Sequence, residues 1–184
     1  ILIVGPGLGN DKWACEIWDV VTRLDNQVVV DASGLHHLAF HKGNHPNWII
    51  TPHPGEAGRL LQVSSEKIQE NRLDSIRQLV ELTQSVIVLK GHNTLVSAPK
   101  QNVLCCERGN PGMGVGGMGD VLTGVLASLI AQGIRHDLPF YEAVCLGVEL
   151  HSAAADFLVN KGVGPIGLTP TETIYQLREL INIK

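Results

Sequence analysis

This sequence predicts a three-layer α/β domain with a mostly parallel central sheet and one small antiparallel hairpin. Short continuous apolar runs (Ile1–Val4, Gln27–Val30, Trp48–Ile50, Val86–Leu89) alternate with longer segments of helical spacing. Strands with one wet face would alternate polar and apolar residues, so these runs read as strands covered on both sides. Neither a linker nor an internal repeat interrupts the 184 residues, a length that suits one domain or a large part of one.

Each element has its own local warrant. After Ile1–Val4 comes a glycine turn (Gly5, Gly7, Gly9), then a helix from Asp11 to Leu24. The second strand ends at Asp31. The third is followed by Thr51-Pro52-His53-Pro54, which two prolines keep out of a helix, and a short helix runs from Gly55 to Leu61. Ser65–Thr83 reads as a single amphipathic helix, with Ile68, Ile76, Leu79 and Val80 near helical spacing. Thr94–Val96 and Val103–Cys106 form the hairpin. Three helices close the chain. The first buries Val121, Leu122, Val125, Leu126, Leu129 and Ile130 and stops at Gly133. The second runs from Pro139 to Val159, and the third starts at the capping box Thr169-Pro-Thr-Glu172.

Composition narrows the function classes. The net charge of −4 and the absence of any basic run argue against nucleic acid as a partner. No apolar run approaches the ~20 residues of a membrane helix. The four cysteines show no CxxC spacing and read as buried thiols of a reducing, cytoplasmic compartment. Glycine, with 20 residues, makes up about 11% of the chain against a usual ~7%. Bare backbone of that kind suits loops that approach a ligand closely. Ile1 opens directly on a strand, so the sequence reads as a fragment.

The chemistry concentrates in Glu107–Asp120, where six glycines from Gly109 to Gly119 lead into a buried helix. Backbone amides converging on a helix N-terminus make an anion site, and Asp120 places a carboxylate beside it. An ordinary N-cap would need one residue, not six glycines. Three further segments fall at carboxyl ends of strands, where α/β sheets bind ligands. Gly5–Gly9 is either a tight turn or a ligand contact. Lys90-Gly91-His92-Asn93-Thr94 is either a phosphate-binding turn or a solvated hairpin entrance. His53, held between two prolines, is presented to a substrate rather than buried. His36, His37, His41 and His45 lack a carboxylate or cysteine to complete a zinc set, and read as a solvated or substrate-edge patch.

Taken together, Thr51-Pro-His-Pro-Gly-Glu56, Lys90-Gly91…Thr94, Gly109-Asn110 and Gly116-Gly-Met-Gly-Asp120-Val-Leu-Thr-Gly124 resemble the ADP/ATP-dependent NAD(P)H-hydrate dehydratase family, a ribokinase-like branch. The order of motifs is kept from Ile1 to the C-terminus, so residues 1–184 would be the C-terminal major part of one ribokinase-like dehydratase domain. The resemblance implies a lyase that repairs (S)-NAD(P)H-hydrate. The nucleotide, ADP in bacterial members, phosphorylates the added hydroxyl, and phosphate is then eliminated. It assigns Asp120 as general base and the amides of Gly116, Gly117, Met118 and Gly119 as the anion hole. Lys90–Thr94 and Gly119 would contact the nucleotide, and Gly9, His53 and Asp120 the hydrate. Mg2+ would lie between the phosphates, with no side-chain metal site. A tetramer is the assembly it implies.

Two departures stand out. The family reads Asp-Ala-Asp-Gly/Ala-Leu-Asn where this sequence has Asp31-Ala-Ser33-Gly-Leu-His36, which removes an acid and an asparagine. Family domains also carry a further segment before the Ile-Val-Gly strand, expected in the intact protein. Two other functions use the same loops: a ribokinase-like kinase acting on a vitamin-precursor alcohol, and a nucleotide-binding subunit without catalysis.

Overall fold

The computed structural model describes residues 1–41 and 43–182. It divides into two compact units, Ile1–Cys105 and Cys106–Lys184.

In the first unit β1 (Leu2–Val4), β2 (Val28–Val30), β3 (Trp48–Ile50) and β4 (Val86–Leu89) are parallel neighbours in chain order. Then β5 (Thr94–Ser97) turns back antiparallel on β4, and β6 (Leu104–Cys106) is last in the six-stranded order. The mostly parallel α/β sheet is thus as the apolar runs indicate. Parallel neighbours need crossovers, and the connections supply α1 (Lys12–Val21), α2 (Ser33–Phe40), α3 (Pro54–Leu61), α4 (Ser65–Glu70) and α5 (Arg72–Thr83). One sheet face packs Val28, Val30, Trp48, Ile50, Ile87 and Leu89 into the main core with Trp18, Leu60 and Leu79. The alternate residues Val29, Ile49, Val88 and Val96 are equally hidden from solvent, which is why the strands read as continuous apolar runs.

Four details differ from the sequence reading. Ser33–Phe40 is a helix, α2, which its weak amphipathicity hides. The Ser65–Thr83 segment is two helices, because Asn71 leaves helical geometry (φ −141°, ψ 72°) and caps the second by accepting from the Asp74 amide at 3.2 Å. The first helix is shorter than Asp11–Leu24; Asp11 is its cap, accepting from Ala14 N at 2.8 Å. The thiols are not uniformly buried: Cys106 is, Cys145 is half-buried, and Cys15 and Cys105 are exposed.

The second unit is three packed helices, α6 (Met118–His136), α7 (Phe140–Asn160) and α8 (Pro170–Ile181). Gly147 lets α7 approach α6, since a Cβ there would stand 2.8 Å from a Leu126 methyl. The expected stop at Gly133 is passed by one turn. Asp137 takes the left-handed conformation (φ 53°) and returns its N–H to the Gly133 carbonyl, a role open to Asp as well as Gly. The Thr169 capping box opens α8 as expected, its hydroxyl accepting from Glu172 N and the Glu172 carboxylate accepting from Thr169 N at 2.9 Å. Among the described residues no helix is long and apolar enough to cross a membrane.

Candidate active site

In the first unit, three expected ligand segments, Gly5–Gly9, Thr51–Glu56 and Lys90–Thr94, follow β1, β3 and β4 at the carboxyl edge of the parallel strands. Gly5 follows β1 with φ 123°, and a Cβ there would stand 1.7 Å from the Asp31 carbonyl, so only glycine fits. Gly9 (φ 75°) faces open space, and its carbonyl is in hydrogen-bond range of His37 Nε2 at 3.1 Å. His37 is therefore no member of a solvated patch. It is buried, stacked on Trp18 at 5.7 Å, and holds the β1 turn in place. His45 likewise stacks on Trp48 at 3.8 Å, and burial lowers its imidazole below the ordinary value.

His53 caps α3. Its Nδ1 accepts from the amides of Gly55 and Glu56 at 3.0 and 3.4 Å, while the Glu56 carboxylate accepts from His53 N at 2.8 Å. With Nδ1 occupied as an acceptor, the ring proton sits on Nε2, 3.4 Å from Glu56 Oε1, and the ring stays half-exposed. The Pro-His-Pro run thus builds a rigid helix start that presents the imidazole.

Lys90, expected to meet phosphate, points its ammonium at protein carboxylates instead: 2.6 Å from Asp31 Oδ1 and 3.9 Å from Glu56 Oε2. Its amide donates to the Pro52 carbonyl at 2.9 Å. The backbone that follows is gripped by Arg72, whose guanidinium donates to the carbonyls of Leu89, Lys90 and Asn93 at 3.1, 3.4 and 3.3 Å. Gly91 takes φ 140°, a backbone conformation that residues with a side chain rarely adopt. Thr94 Oγ1 donates to the Gly91 carbonyl at 3.0 Å, and Gly91, His92 and Asn93 are exposed.

The second unit holds the glycine-rich loop. Gly109 N and Asn110 Nδ2 each donate to an oxygen of Asp156, at 2.9 and 3.0 Å, and Asn110 Oδ1 accepts from Gly112 N at 3.0 Å. Pro111–Met113 makes one 3₁₀ turn, and Gly117 (φ 90°) caps α6 without any side-chain partner. Met118 N is spent on the Val115 carbonyl at 3.3 Å, and the Met118 side chain is buried in the local core, so this residue drops out of the expected anion hole. The amides of Gly116, Gly117, Gly119 and Asp120 donate to no protein group among the described residues. They surround the positive end of a 19-residue helix, where an anion gains from both the free N–H groups and the macrodipole.

Asp120 is the third residue of α6, in the first turn rather than at the cap, and its exposed carboxylate takes no protein hydrogen bond among the described residues. A groove of about 600 Å³ between α6 and α8 opens beside it, lined by Val121, Val125, Ile174 and Leu177. Behind the loop lies His151 of α7, whose buried imidazole is pushed down to about 4 by desolvation, against a hydrogen bond with the Met118 backbone. Burial likewise raises the Cys106 thiol. Asp156, Asn110 and Arg72 are the contributors that sequence reading missed. Asn110 lay inside a quoted motif, but nothing in the spacing says which carboxylate it meets 46 residues away.

Among the described residues no three His, Cys, Asp or Glu side chains converge on a metal position. That donor set fits Mg2+ only in its usual mode, held by phosphate oxygens and water with little protein ligation.

Comparison with known proteins identifies the family. The profile of the NAD(P)H-hydrate dehydratase family matches residues 1–178. The chain is 42% identical over 182 residues to the bifunctional NAD(P)H-hydrate repair enzyme Nnr of Coxiella burnetii, covering 99% of this chain but 36% of that protein. It is 37% identical to the ADP-dependent (S)-NAD(P)H-hydrate dehydratase of Neisseria meningitidis, covering 98% of this chain and 62% of that one. A solved structure of the Bacillus subtilis ADP/ATP-dependent NAD(P)H-hydrate dehydratase, co-crystallized with ATP/Mg2+, superposes with a TM-score of 0.82 at 28% identity, over 97% of this chain and 62% of that one. The chain thus spans little more than a third of the bifunctional relative and under two thirds of the others. With the family's motifs on the loops described above and its profile running almost end to end, the chain belongs to the NAD(P)H-hydrate dehydratase family.

Proposed function

We propose that this chain carries out the ADP-dependent dehydration of (S)-NAD(P)H-hydrate, yielding NAD(P)H, AMP and phosphate. The observation that carries the reading is the set of bare amides at Gly116, Gly117, Gly119 and Asp120, with the uncommitted Asp120 carboxylate in the same helical turn. Phosphoryl transfer asks for positioning and for stabilisation of charge on the moving group, which free amides in fixed orientation supply.

The hydrate hydroxyl loses its proton to Asp120 as its oxygen attacks the terminal phosphorus of ADP. The anhydride P–O bond breaks and AMP leaves with that electron pair. In the phosphorylated hydrate the C–O bond then breaks, phosphate departs, and the neighbouring carbon gives up a proton as the ring double bond returns. Mg2+, held by the phosphates, would neutralise their charge.

By resemblance, Gly9, His53 and Asp120 are each assigned to the hydrate, and Lys90–Thr94 and Gly119 to the nucleotide. Because the Lys90 ammonium is engaged by Asp31, we assign the nucleotide contacts of that segment to its exposed backbone and to His92 and Asn93. The relatives' names support the substrate and nucleotide; unpaired cysteines suit a cytoplasmic compartment. A homotetramer is the proposed assembly.

The test is to incubate the full-length protein with hydrated NADPH, Mg2+ and either ADP or ATP. Absorbance near 340 nm, the reduced nicotinamide band, is expected to recover with ADP, one AMP released per NADPH. A phosphorylated product that accumulates without recovery would instead identify a kinase.

A further inference from the structure

Asp156 carries no motif signature, yet α7 presents it to the chain segment that leads into the bare amides. Its two carboxylate oxygens accept one bond each, from Gly109 N at 2.9 Å and Asn110 Nδ2 at 3.0 Å. The Asn110 amide cannot flip without loss, because its oxygen accepts from Gly112 N at 3.0 Å. Two bonds therefore run in series from α7 through Asn110 to Gly112, with the Gly109 bond beside them. Gly112 is backed in turn by the Pro165 carbonyl, which a Cβ there would approach to 2.4 Å. The same helix reaches neighbouring points of the segment: Glu149 accepts from Arg108 and from the Cys106 thiol, and His151 bonds the Met118 backbone.

The chemistry of position 156 is restrictive. Two N–H donors meet there, and only an ionised carboxylate offers two acceptors and no donor. We propose that Asp156 is a positioning residue for the phosphoryl transfer: through Asn110 and Gly112 it sets where the amides of Gly116, Gly117 and Gly119 stand when the transferring group develops charge. The inference rests on the dehydration reading given above. Asp156 touches neither substrate nor reacting atoms; it acts through the loop.

Asp156→Asn turns an N–H2 group toward one of the two donors. Flipping Asn110 to accommodate it would strand Gly112 N. Asn110→Asp alone sets two carboxylates against each other. Combining D156N with N110D restores all three bonds: the new amide oxygen accepts from Gly109 N, its nitrogen donates to the new carboxylate, and that carboxylate still accepts from Gly112 N.

The experiment measures kcat, KM and amide exchange at Gly109 and Gly112 for full-length wild type, both single variants and the double variant. Each single variant is expected to lose about 10- to 100-fold in kcat, the range expected for a displaced buried hydrogen bond. KM for the nucleotide should stay within about threefold, and exchange at both amides should accelerate. The double variant should regain most of the rate and the protection, which general loosening of the fold would not produce. A near-normal kcat for D156N overturns the proposal, as does a folded double variant no faster than the singles. If D156N does not fold, N110D and the double variant make the same comparison. A silent wild type would sink the dehydration reading and this inference together; an active wild type with failed rescue would sink the inference alone.

Discussion

At the scale of single residues, position matters more than identity. His151 could be a solvated base on many helices, but here it is buried in α7, its Nε2 finds no partner among the described residues, and its imidazole is held near 4. The sign follows from which state takes the proton first. The unfolded chain protonates near the ordinary imidazole value of 6.5 while the folded one resists until about 4. His151 therefore stabilises the fold above about pH 6.5, by about 3 kcal/mol, and that contribution is lost as pH falls towards 4. Denaturant titrations across this window should show stability falling with acid in the wild type. In His151→Leu the slope should flatten by up to one proton. An unchanged slope would mean the imidazole is not buried neutral.

At the scale of elements, the connections are tied to one another rather than merely exposed. Lys90, leaving β4, bridges the exit of β2 through Asp31 and the start of α3 through Glu56. The Asp31 and Glu56 side chains are 3% and 9% exposed, so Lys90→Met removes the cation from beside two buried carboxylates. It should cost about 3 kcal/mol of stability without any nucleotide present, read as a lower urea midpoint. Equal midpoints would return Lys90 to a purely ligand-binding role. Strands, the last helices and the Thr169 capping box were legible in the sequence because apolar period and cap chemistry are local signals. The α2 helix was not, since Ser33–Phe40 holds two histidines, Gly34 and little amphipathicity, and its buried face mixes Leu35 and Leu38 with His37 stacked on Trp18. The break at Asn71 was equally hidden: a residue that can continue a helix here caps one instead. In the site, the glycine run and Asp120 were legible as motifs. The Lys90–Asp31 pair and the Asp156–Asn110 bond were not, because they join residues 59 and 46 positions apart, and no local pattern encodes such a meeting.

At the scale of the whole molecule, two units with different architectures each carry candidate site segments. The first gathers Gly9, His53 and the Lys90–Thr94 segment at one edge of a parallel sheet. The second carries the bare amides and Asp120 at the start of its longest connection into a helix, beside an apolar groove of about 600 Å³, a size usual for small-molecule sites. Free amides beside an exposed carboxylate are what the proposed phosphoryl transfer asks for. The rate of Asp120→Asn on hydrated NADPH with ADP, relative to wild type, tests that account most directly. The carboxylate is exposed and has no hydrogen-bond partner among the described residues, so the variant should keep wild-type thermal stability while turnover falls by about 10²–10⁴-fold, the usual contribution of a general base. A folded Asp120→Asn protein that turns over at a near wild-type rate would contradict it.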